Sequence, residues 1–459
     1  MRLKASFVRS LLAVAAGGCL ALPASAASFI VTGSQLDAAV AAAGGTISKR
    51  LPAINAVVVE GSEAVRGKLA GKKGVTGVLP NLSIRWLPKD RIAKEQAVVE
   101  AVDPPNNPPG TIDSRFNLQW GHTAVKAVAA WNAGQVGQGA RVAVLDGGFS
   151  VNHPDIAGQY DAGCSADMTG EGIAYGPNAD DPTGIFSHGM HTAGTIGAAA
   201  NGIGTIGVAP AVRLCLVKVL FNYGSGSFGD VAAGILYAAD QGVNIINMSL
   251  GGALQKSGEA GLYTAREAAE LKNFIAEAVR YAYQRGVAVI VSAGNDASDG
   301  DKDRNLIHLP SDAPHAISIS ATAPVGWALA PNTTFLDNPA SYTNFGRSVI
   351  NLAAPGGDFS YPGNENCLVG GLVRPCWVFD MVFSTGGVVN GAAYYYWSAG
   401  TSMAAPHASG VAALIVGRYG RLHPATLRSL LERGADDLGQ PGNDPFYGAG
   451  RVNGLNSVQ

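Results

Sequence analysis

Charge is what this 459-residue chain has least of. Asp, Glu, Lys and Arg together make up 14% of it, and 34 acidic side chains against 32 basic ones leave a formal net charge of −2. No basic block occurs, so the electrostatic footprint of a nucleic-acid-binding protein is missing and no nucleic-acid partner is expected. Heptads and internal repeats are absent, which excludes a long coiled coil or a solenoid. The apolar run Leu11–Leu22 is short for a membrane span and no later run is longer, so stable membrane insertion is not expected. Cysteine is scarce, at five, and aromatic residues stand at 7%. What is abundant is glycine, at 61, and apolar side chains, at 47%. A chain of this length and composition can build a large core and more than one domain.

The N-terminus carries Arg2, Lys4 and Arg9, then the apolar run, then Ala24-Ser25-Ala26. This is the pattern of a secretory signal peptide over residues 1–26, with export to the extracellular space, or to the periplasm if the host has an outer membrane. Cys19 follows Ala16-Gly17-Gly18 without the leucine of a lipid-attachment signal. Beyond the signal remain Cys164, Cys215, Cys367 and Cys376. An even number of cysteines in an exported chain implies disulfides, and four allow three pairings.

Residues 27–86 read as a small unit of their own. Phe29-Ile30-Val31, Thr46-Ile47-Ser48, Ala56–Val59 and Val75–Leu79 have strand composition. Gln35–Ala43 and Ser62–Leu69 have helix composition, the second with Ser62 as cap. The order β-α-β-β-α-β is ferredoxin-like. Residues 87–111 follow as a linker and maturation region, with Asp103-Pro104-Pro105-Asn106-Asn107-Pro108-Pro109-Gly110 extended and exposed. Residues 112–459 form the remaining, larger domain.

Three segments of that domain carry chemistry. In Arg141–Gly148 a short apolar run ends in Asp146 and two glycines, as in a buried parallel strand with a carboxylate at its C-terminal end. In Ser187–Thr195, His188 opens a small-residue, helix-like segment. In Gly400–Gly410, Ser402 opens another, where the first turn of a helix offers free N–H groups and partial positive charge. A lone serine is most often a cap and a lone histidine a packed core residue. The ordered trio Asp, His, Ser is one of the known orders of a nucleophilic triad.

On these segments the chain resembles the subtilisin family of serine proteases, over about residues 112–455. The resemblance implies an α/β domain with a mainly parallel sheet sandwiched by helices. It implies Ser402 as nucleophile, His188 as general base and then acid, and Asp146 as the group orienting the imidazolium. Asn295, at the end of Val289-Ile290-Val291-Ser292-Ala293-Gly294, matches the family's oxyanion donor. Ser249-Leu250-Gly251-Gly252, with Ala293 and Gly294, matches its substrate-binding edges. Residues 27–86 are similar to the family's propeptide, an intramolecular chaperone and inhibitor, and the cut that removes it is expected between about Leu87 and Asn117. His191 resembles a non-catalytic histidine of the family, and no glutamate stands between it and His188 to make a zinc-peptidase motif. His407 is taken as packing. Met190 departs from the threonine usual at its position.

The resemblance further implies a structural calcium ion, held by the side chains of Asp155 and Asn201 and the carbonyls of Ala199, Ile203 and Thr205, with Gln119 as a stand-in for a further ligand. The favoured disulfides are Cys367–Cys376, around Gly370-Gly371, and Cys164–Cys215, which the family places on neighbouring strands; the pairing stays open at this point. Asp296, Asp299, Asp301 and Asp303 read as an acidic rim, a second calcium site or a solvated loop, and their spacing fits no EF-hand. The function so implied is a secreted, monomeric serine endopeptidase acting on proteins or peptides, made as a self-processing zymogen. Two other readings stand beside it: a dedicated processing protease with a narrow substrate, and a catalytically silent binding protein on the same fold.

Overall fold

A computed structural model describes residues 27–87, the backbone of 96–100, and 114–459. The expected signal segment 1–26 and the proline-rich stretch Asp103–Gly110 lie outside the described residues.

The N-terminal unit runs β1 (Ala27–Gly33), α1 (Leu36–Ala43), β2 (Thr46–Leu51), β3 (Ala56–Gly61), α2 (Glu63–Leu69) and β4 (Val75–Pro80). Its antiparallel sheet has the order β2-β3-β1-β4, the ferredoxin-like arrangement. Leu36, Ala39, Val40 and Ala43 form one stripe of α1. That stripe packs on Phe29, Val31, Val57 and Val59. The alternate residues Ile30 and Val58 point to the other sheet face, as strand pleating requires. There they join a core shared with Phe228, Val231, Ile235 and Leu271 of the larger domain. Two local expectations differ: Gln35 is left-handed and precedes the helix, and Ser62 stands at the cap position without a capping hydrogen bond.

Farther along come β5 (Ser83–Arg85), β6 (Gln96–Glu100), β7 (Arg141–Asp146), α3 (His188–Gly197), β8 (Arg213–Lys218), β9 (Ser225–Ser227) and α4 (Phe228–Asp240). Then follow β10 (Ile245–Met248), β11 (Gly252–Gln255), α5 (Ala265–Gln284), β12 (Ala288–Ser292), β13 (Leu306–Leu309), β14 (Ala316–Ala323) and β15 (Leu352–Pro355). The hairpin β16 (Val382–Val389) and β17 (Ala392–Ser398) leads into α6 (Thr401–Tyr419). The central sheet runs β14-β12-β10-β7-β8, all parallel, with β15 added parallel to β14.

Its strands are apolar on both faces because both are covered. Val142 and Val144 of β7 share a core with Ala404, Ala408, Val411 and Leu414 of α6. Ala143 and Leu145 share one with Val231 and Ile235 of α4. The sheet is thus sandwiched, and α6, without a polar face for most of its length, runs through the interior.

The structure pairs Cys164 with Cys215 and Cys367 with Cys376, as favoured from the sequence. The first ties the turn after Asp155 to the middle of β8; closing a loop of 51 residues removes unfolded-chain entropy of about 4 kcal/mol.

Candidate active site

Each candidate sits at a chain end of a regular element. Asp146 is the last residue of β7, at the C-terminal edge of the parallel sheet where open α/β sheets hold their chemistry. It is fully buried, and accepts from the Gly147 N–H at 2.7 Å and from the Thr192 hydroxyl at 3.4 Å. His188 is the first residue of α3. Ser187 caps that helix: its Oγ accepts from the Met190 N–H at 3.2 Å and donates to the Gly148 carbonyl at 2.8 Å. The cap fixes the histidine's backbone, and the His188 Nδ1–H lies 2.9 Å from both Asp146 carboxylate oxygens. With Nδ1 so held, Nε2 is the free ring nitrogen.

Ser402 is the second residue of α6. Its N–H belongs to the first turn, where no intrahelical acceptor exists. Its hydroxyl donates to the Ser249 carbonyl at 3.1 Å and not to His188, yet His188 and Ser402 line the same cleft, of about 250 Å³. Asn295 is fixed by its oxygen: Oδ1 accepts from the Thr401 N–H at 2.9 Å and the Thr401 hydroxyl at 2.8 Å. That pair assigns the amide orientation and leaves Nδ2 as the outward donor. Gly400 has an extended backbone; a Cβ there would lie 3.5 Å from Asn295 Nδ2 and 3.6 Å from the Ser402 nitrogen. The missing side chain therefore keeps open the space that two N–H donors share.

The substrate edges meet the same cleft. Gly251, Gly252, Ala293 and Gly294 line it, while Ser249 and Leu250 are buried behind. The Ser249 hydroxyl accepts from Asn247, which in turn accepts from Ser409 of α6, so the edge is tied to the serine helix.

Asp296, from the acidic run, lies on the cleft, and so do His308 and Ser311, which were not singled out from the sequence. The other aspartates of the Asp296–Asp303 run are engaged locally: Asp301 accepts from Arg347 and Ser348, Asp303 from Ser298, and Asp299 pairs with Lys302. β9 pairs antiparallel with β5 of the N-terminal segment, whose Arg85, Trp86 and Leu87 line the cleft. Trp86 and Leu87 both donate through their N–H groups to the Gly224 carbonyl, at 3.0 and 3.1 Å, and the Trp86 carbonyl accepts from the Gly251 N–H at 3.1 Å. The Trp86 indole is buried against Phe228 and donates to the Gly226 carbonyl at 2.9 Å. The small-residue run Gly224-Ser225-Gly226-Ser227 and the apolar pair Trp86-Leu87 at the end of the N-terminal unit were the signals available.

The N-terminal unit also meets the larger domain through ion pairs: Lys49 with Asp230 at 2.9 Å, and Arg66 with Glu267 and Arg85 with Asp180. In each, the cation comes from the N-terminal side.

The other histidines of these motifs are structural. His191 is buried, faces the Val382 carbonyl at 3.1 Å, and burial with the nearby His188 pushes its pKa down to about 3. His407 is held on the Met403 carbonyl at 2.8 Å, and burial lowers it to about 4. Met190 is fully buried in the core under β7 and α6, where a flexible thioether fills space.

For the calcium candidate, Asp155 is fully buried and accepts from the Thr205 N–H at 3.0 Å and the Asn201 amide at 3.4 Å. Gly204 stands at φ +54, and a Cβ there would fall 2.5 Å from an Asp155 carboxylate oxygen, so the loop closes tightly on that group. Among the described residues no cluster of three or more His, Cys, Asp or Glu side chains is placed to hold a metal. The donor set is instead one carboxylate, one amide and loop carbonyls, all hard oxygens, which fits calcium. Gln119 does not join it: its amide bonds both backbone groups of Ile206, at 2.9 and 3.1 Å.

A mainly parallel α/β sandwich with a serine at a helix start, a carboxylate-bound histidine and paired donors in one cleft defines a serine endopeptidase. Comparison with known proteins gives the family. Residues 137–450 match the subtilase family (Peptidase_S8), and the chain belongs to it. Thermitase of Thermoactinomyces vulgaris is 31% identical over 342 residues, 74% of this chain and 96% of that protein. Subtilisin Savinase of Lederbergia lenta is 32% identical over 339 residues, 73% of this chain and 97% of that protein. Among solved structures, the epidermin leader peptide processing serine protease of Staphylococcus aureus shares the fold at a TM-score of 0.71 and 19% identity, over 95% of this chain and 98% of that one. Among the described residues no helix is long and apolar enough to cross a membrane.

Proposed function

We propose that the chain is a secreted zymogen that removes its own N-terminal unit and then hydrolyses peptide bonds through Asp146, His188 and Ser402. The observation that carries this is the bidentate hold of the buried Asp146 on His188 Nδ1, with Ser402 on the same cleft. Ser402 Oγ attacks the peptide carbonyl while His188 Nε2 takes its proton. The oxyanion of the tetrahedral intermediate sits between Asn295 Nδ2 and the Ser402 N–H. His188 gives the proton to the leaving amine, and an acyl group remains on Ser402. Water, deprotonated by the same imidazole, then attacks the acyl carbon and frees the enzyme. Asp146 stabilises the imidazolium throughout and takes no proton.

Residues 27–86 act as propeptide. Their C-terminal end lies in the cleft, where β5, Trp86 and Leu87 pair with Gly224–Ser227 and Gly251 as an extended peptide would. Calcium, where bound, stiffens the Asp155 loop and takes no part in the chemistry; Asp155 and Asn201 with the carbonyls of Ala199, Ile203 and Thr205 would hold it.

The test is to express the precursor without residues 1–26 beside Ser402→Ala and follow both by intact mass. The wild type should shorten to a product beginning after the cleft-bound segment, and the variant should stay whole. Wild type that stays whole would reject self-processing. Equal shortening of both would show cleavage that does not depend on Ser402.

A further inference from the structure

We propose that Asp180 selects substrates that carry an arginine upstream of the scissile bond, at the place that Arg85 fills in the precursor. The proposal rests on the reading of Ser402 as nucleophile and of residues 83–87 as lying in the cleft as a substrate would. β5 pairs antiparallel with β9, with Arg85 opposite Ser225. The next two residues are held by Gly224 and Gly251. Side chains of an extended chain alternate in direction. Trp86 accordingly turns to Phe228, while Arg85 and Leu87 face a second hollow, of about 270 Å³, beside His188. Asp180 and Tyr175 line that hollow, and the Arg85 guanidinium donates to the Asp180 carboxylate.

The turn that presents Asp180 is tightly bonded. Its N–H and that of Asp181 both donate to Asn178 Oδ1, at 3.0 and 3.1 Å. The Asp181 carboxylate is engaged inside the turn, accepting from the N–H groups of Thr183, Gly184 and Phe186 and from the Tyr175 hydroxyl. Asp181 thus fixes the segment that leads into Ser187 and His188, and Asp180 is the carboxylate that meets the incoming chain. A guanidinium suits the place better than an ammonium. Arg85 Nε donates to the Leu87 carbonyl at 2.9 Å while Nη2 reaches Asp180. Lysine has a carbon where arginine has Nε, so it reaches Asp180 without that second bond. The Asp180 side chain is 22% exposed in the pair, so the attraction is screened less than on open surface. A glutamate in the same place would set two carboxylates together and be rejected. Tyr175, Asn178 and Asp180 all follow the expected cut, so this wall stays with the processed enzyme while Arg85 leaves.

The experiment uses the enzyme after self-processing, freed of its N-terminal fragment, and peptides of residues 82–117 followed by mass. One peptide keeps Arg85, and three carry Arg85→Lys, Arg85→Gln or Arg85→Glu. We expect kcat/KM for the arginine peptide to be about fivefold above Arg85→Gln and further above Arg85→Glu, with Arg85→Lys between, mostly through KM. Raising the salt concentration should shrink the difference. Asp180→Asn should bring the arginine and glutamine peptides to within about twofold of each other. In Asp180→Lys, whose precursor carries Arg85→Glu so that an ion pair is kept, the order should invert and the Arg85→Glu peptide be cut fastest. That rescue separates recognition of charge from damage to the fold. Equal rates for the four peptides on the wild type overturn the subsite and leave the enzyme assignment intact. A preference for arginine that survives Asp180→Lys moves recognition to another group and overturns the role of Asp180. If a fluorophosphonate probe labels Ser402 yet no peptide is cut, residues 83–87 do not bind as a substrate and the subsite alone falls. If no peptide is cut and Ser402 is not labelled, the nucleophile assignment falls with it.

Discussion

At the scale of single residues, the site depends as much on an absent side chain as on those present. Gly400 needs no special backbone angle, since its φ of 161° is extended and open to any residue. What it provides is space: its missing Cβ would stand between Asn295 Nδ2 and the Ser402 nitrogen. Gly400→Ala should thus leave the fold and melting temperature near wild type but fill the place of the oxyanion. Loss of one oxyanion donor costs roughly 10²–10³ in kcat in this family, and a methyl group shielding two should cost at least that. Stopped-assay kcat measured beside a thermal melt checks it; a variant within threefold of wild type would move the oxyanion elsewhere.

Asp146, His188, Asn295 and Ser402 were all legible in the sequence because each ends or opens an apolar or small-residue run. Burial forces such runs to be apolar, so a polar residue at their end stands out. Trp86 and His308 were not legible, because an aromatic or a histidine in a mixed stretch looks the same whether it fills a cleft or a surface.

At the scale of elements, the N-terminal unit docks through one sheet face and through its tail. Ile30 and Val58 enter the core shared with α4, and Trp86 fills the space against Phe228 and beneath Gly226. Removing a buried indole is worth about 3–5 kcal/mol. Supplied in trans to processed enzyme, residues 27–87 should inhibit it, and Trp86→Ala should raise the inhibition constant by at least a hundredfold. An unchanged constant would place the inhibitory contact elsewhere. The Asp155 loop makes a separate prediction. A hard-oxygen site that binds calcium only when folded stabilises the chain by mass action, by about 2.7 kcal/mol at a hundredfold excess over Kd. Chelation of Ser402→Ala, which cannot digest itself, should lower its melting temperature by several degrees, and calcium but not magnesium should restore it. A melt indifferent to chelator would show that Thr205 and Asn201 satisfy Asp155 unaided.

Element order was readable from composition and turn residues in the N-terminal unit; in the larger domain only the strands and helices around the motifs were, and the architecture came from the family resemblance. Pairings between distant segments were not readable. β6 on β17 and β5 on β9 join stretches far apart in sequence, and nothing local in Gln96–Glu100 or Ser225–Ser227 names a partner. The insertion closed by Cys367–Cys376 posed the same difficulty: its hairpin, Asn366–Val369 with Leu372–Pro375, shows only as a pair of cysteines.

At the scale of the whole molecule, the core holds four histidines in their neutral form. His122, His153, His191 and His407 are all at most 2% exposed. Burial pushes His153 and His407 down to about 4 and His191 to about 3, and lowers His122 well below its ordinary value, with His407 adding to the shift. The His122 ring meets that of His407 at 5.6 Å. Linkage fixes the sign. In the unfolded chain these rings protonate near pH 6.5, whereas in the folded protein His153, His191 and His407 resist until about pH 4 or below, and His122 is likewise held below its ordinary value. The stability they allow is therefore fully present above pH 6.5 and declines as pH falls, by about 1.4 kcal/mol per pH unit for each histidine. Four together are enough to unfold an ordinary domain within two or three units. Thermal melts of Ser402→Ala between pH 8 and pH 4 should show a plateau at the upper end and a steep fall below pH 6. Replacing His122 with leucine removes one such ring and should make the fall shallower while leaving the plateau in place. A melting temperature independent of pH down to 4 would mean that these rings are hydrated or paired.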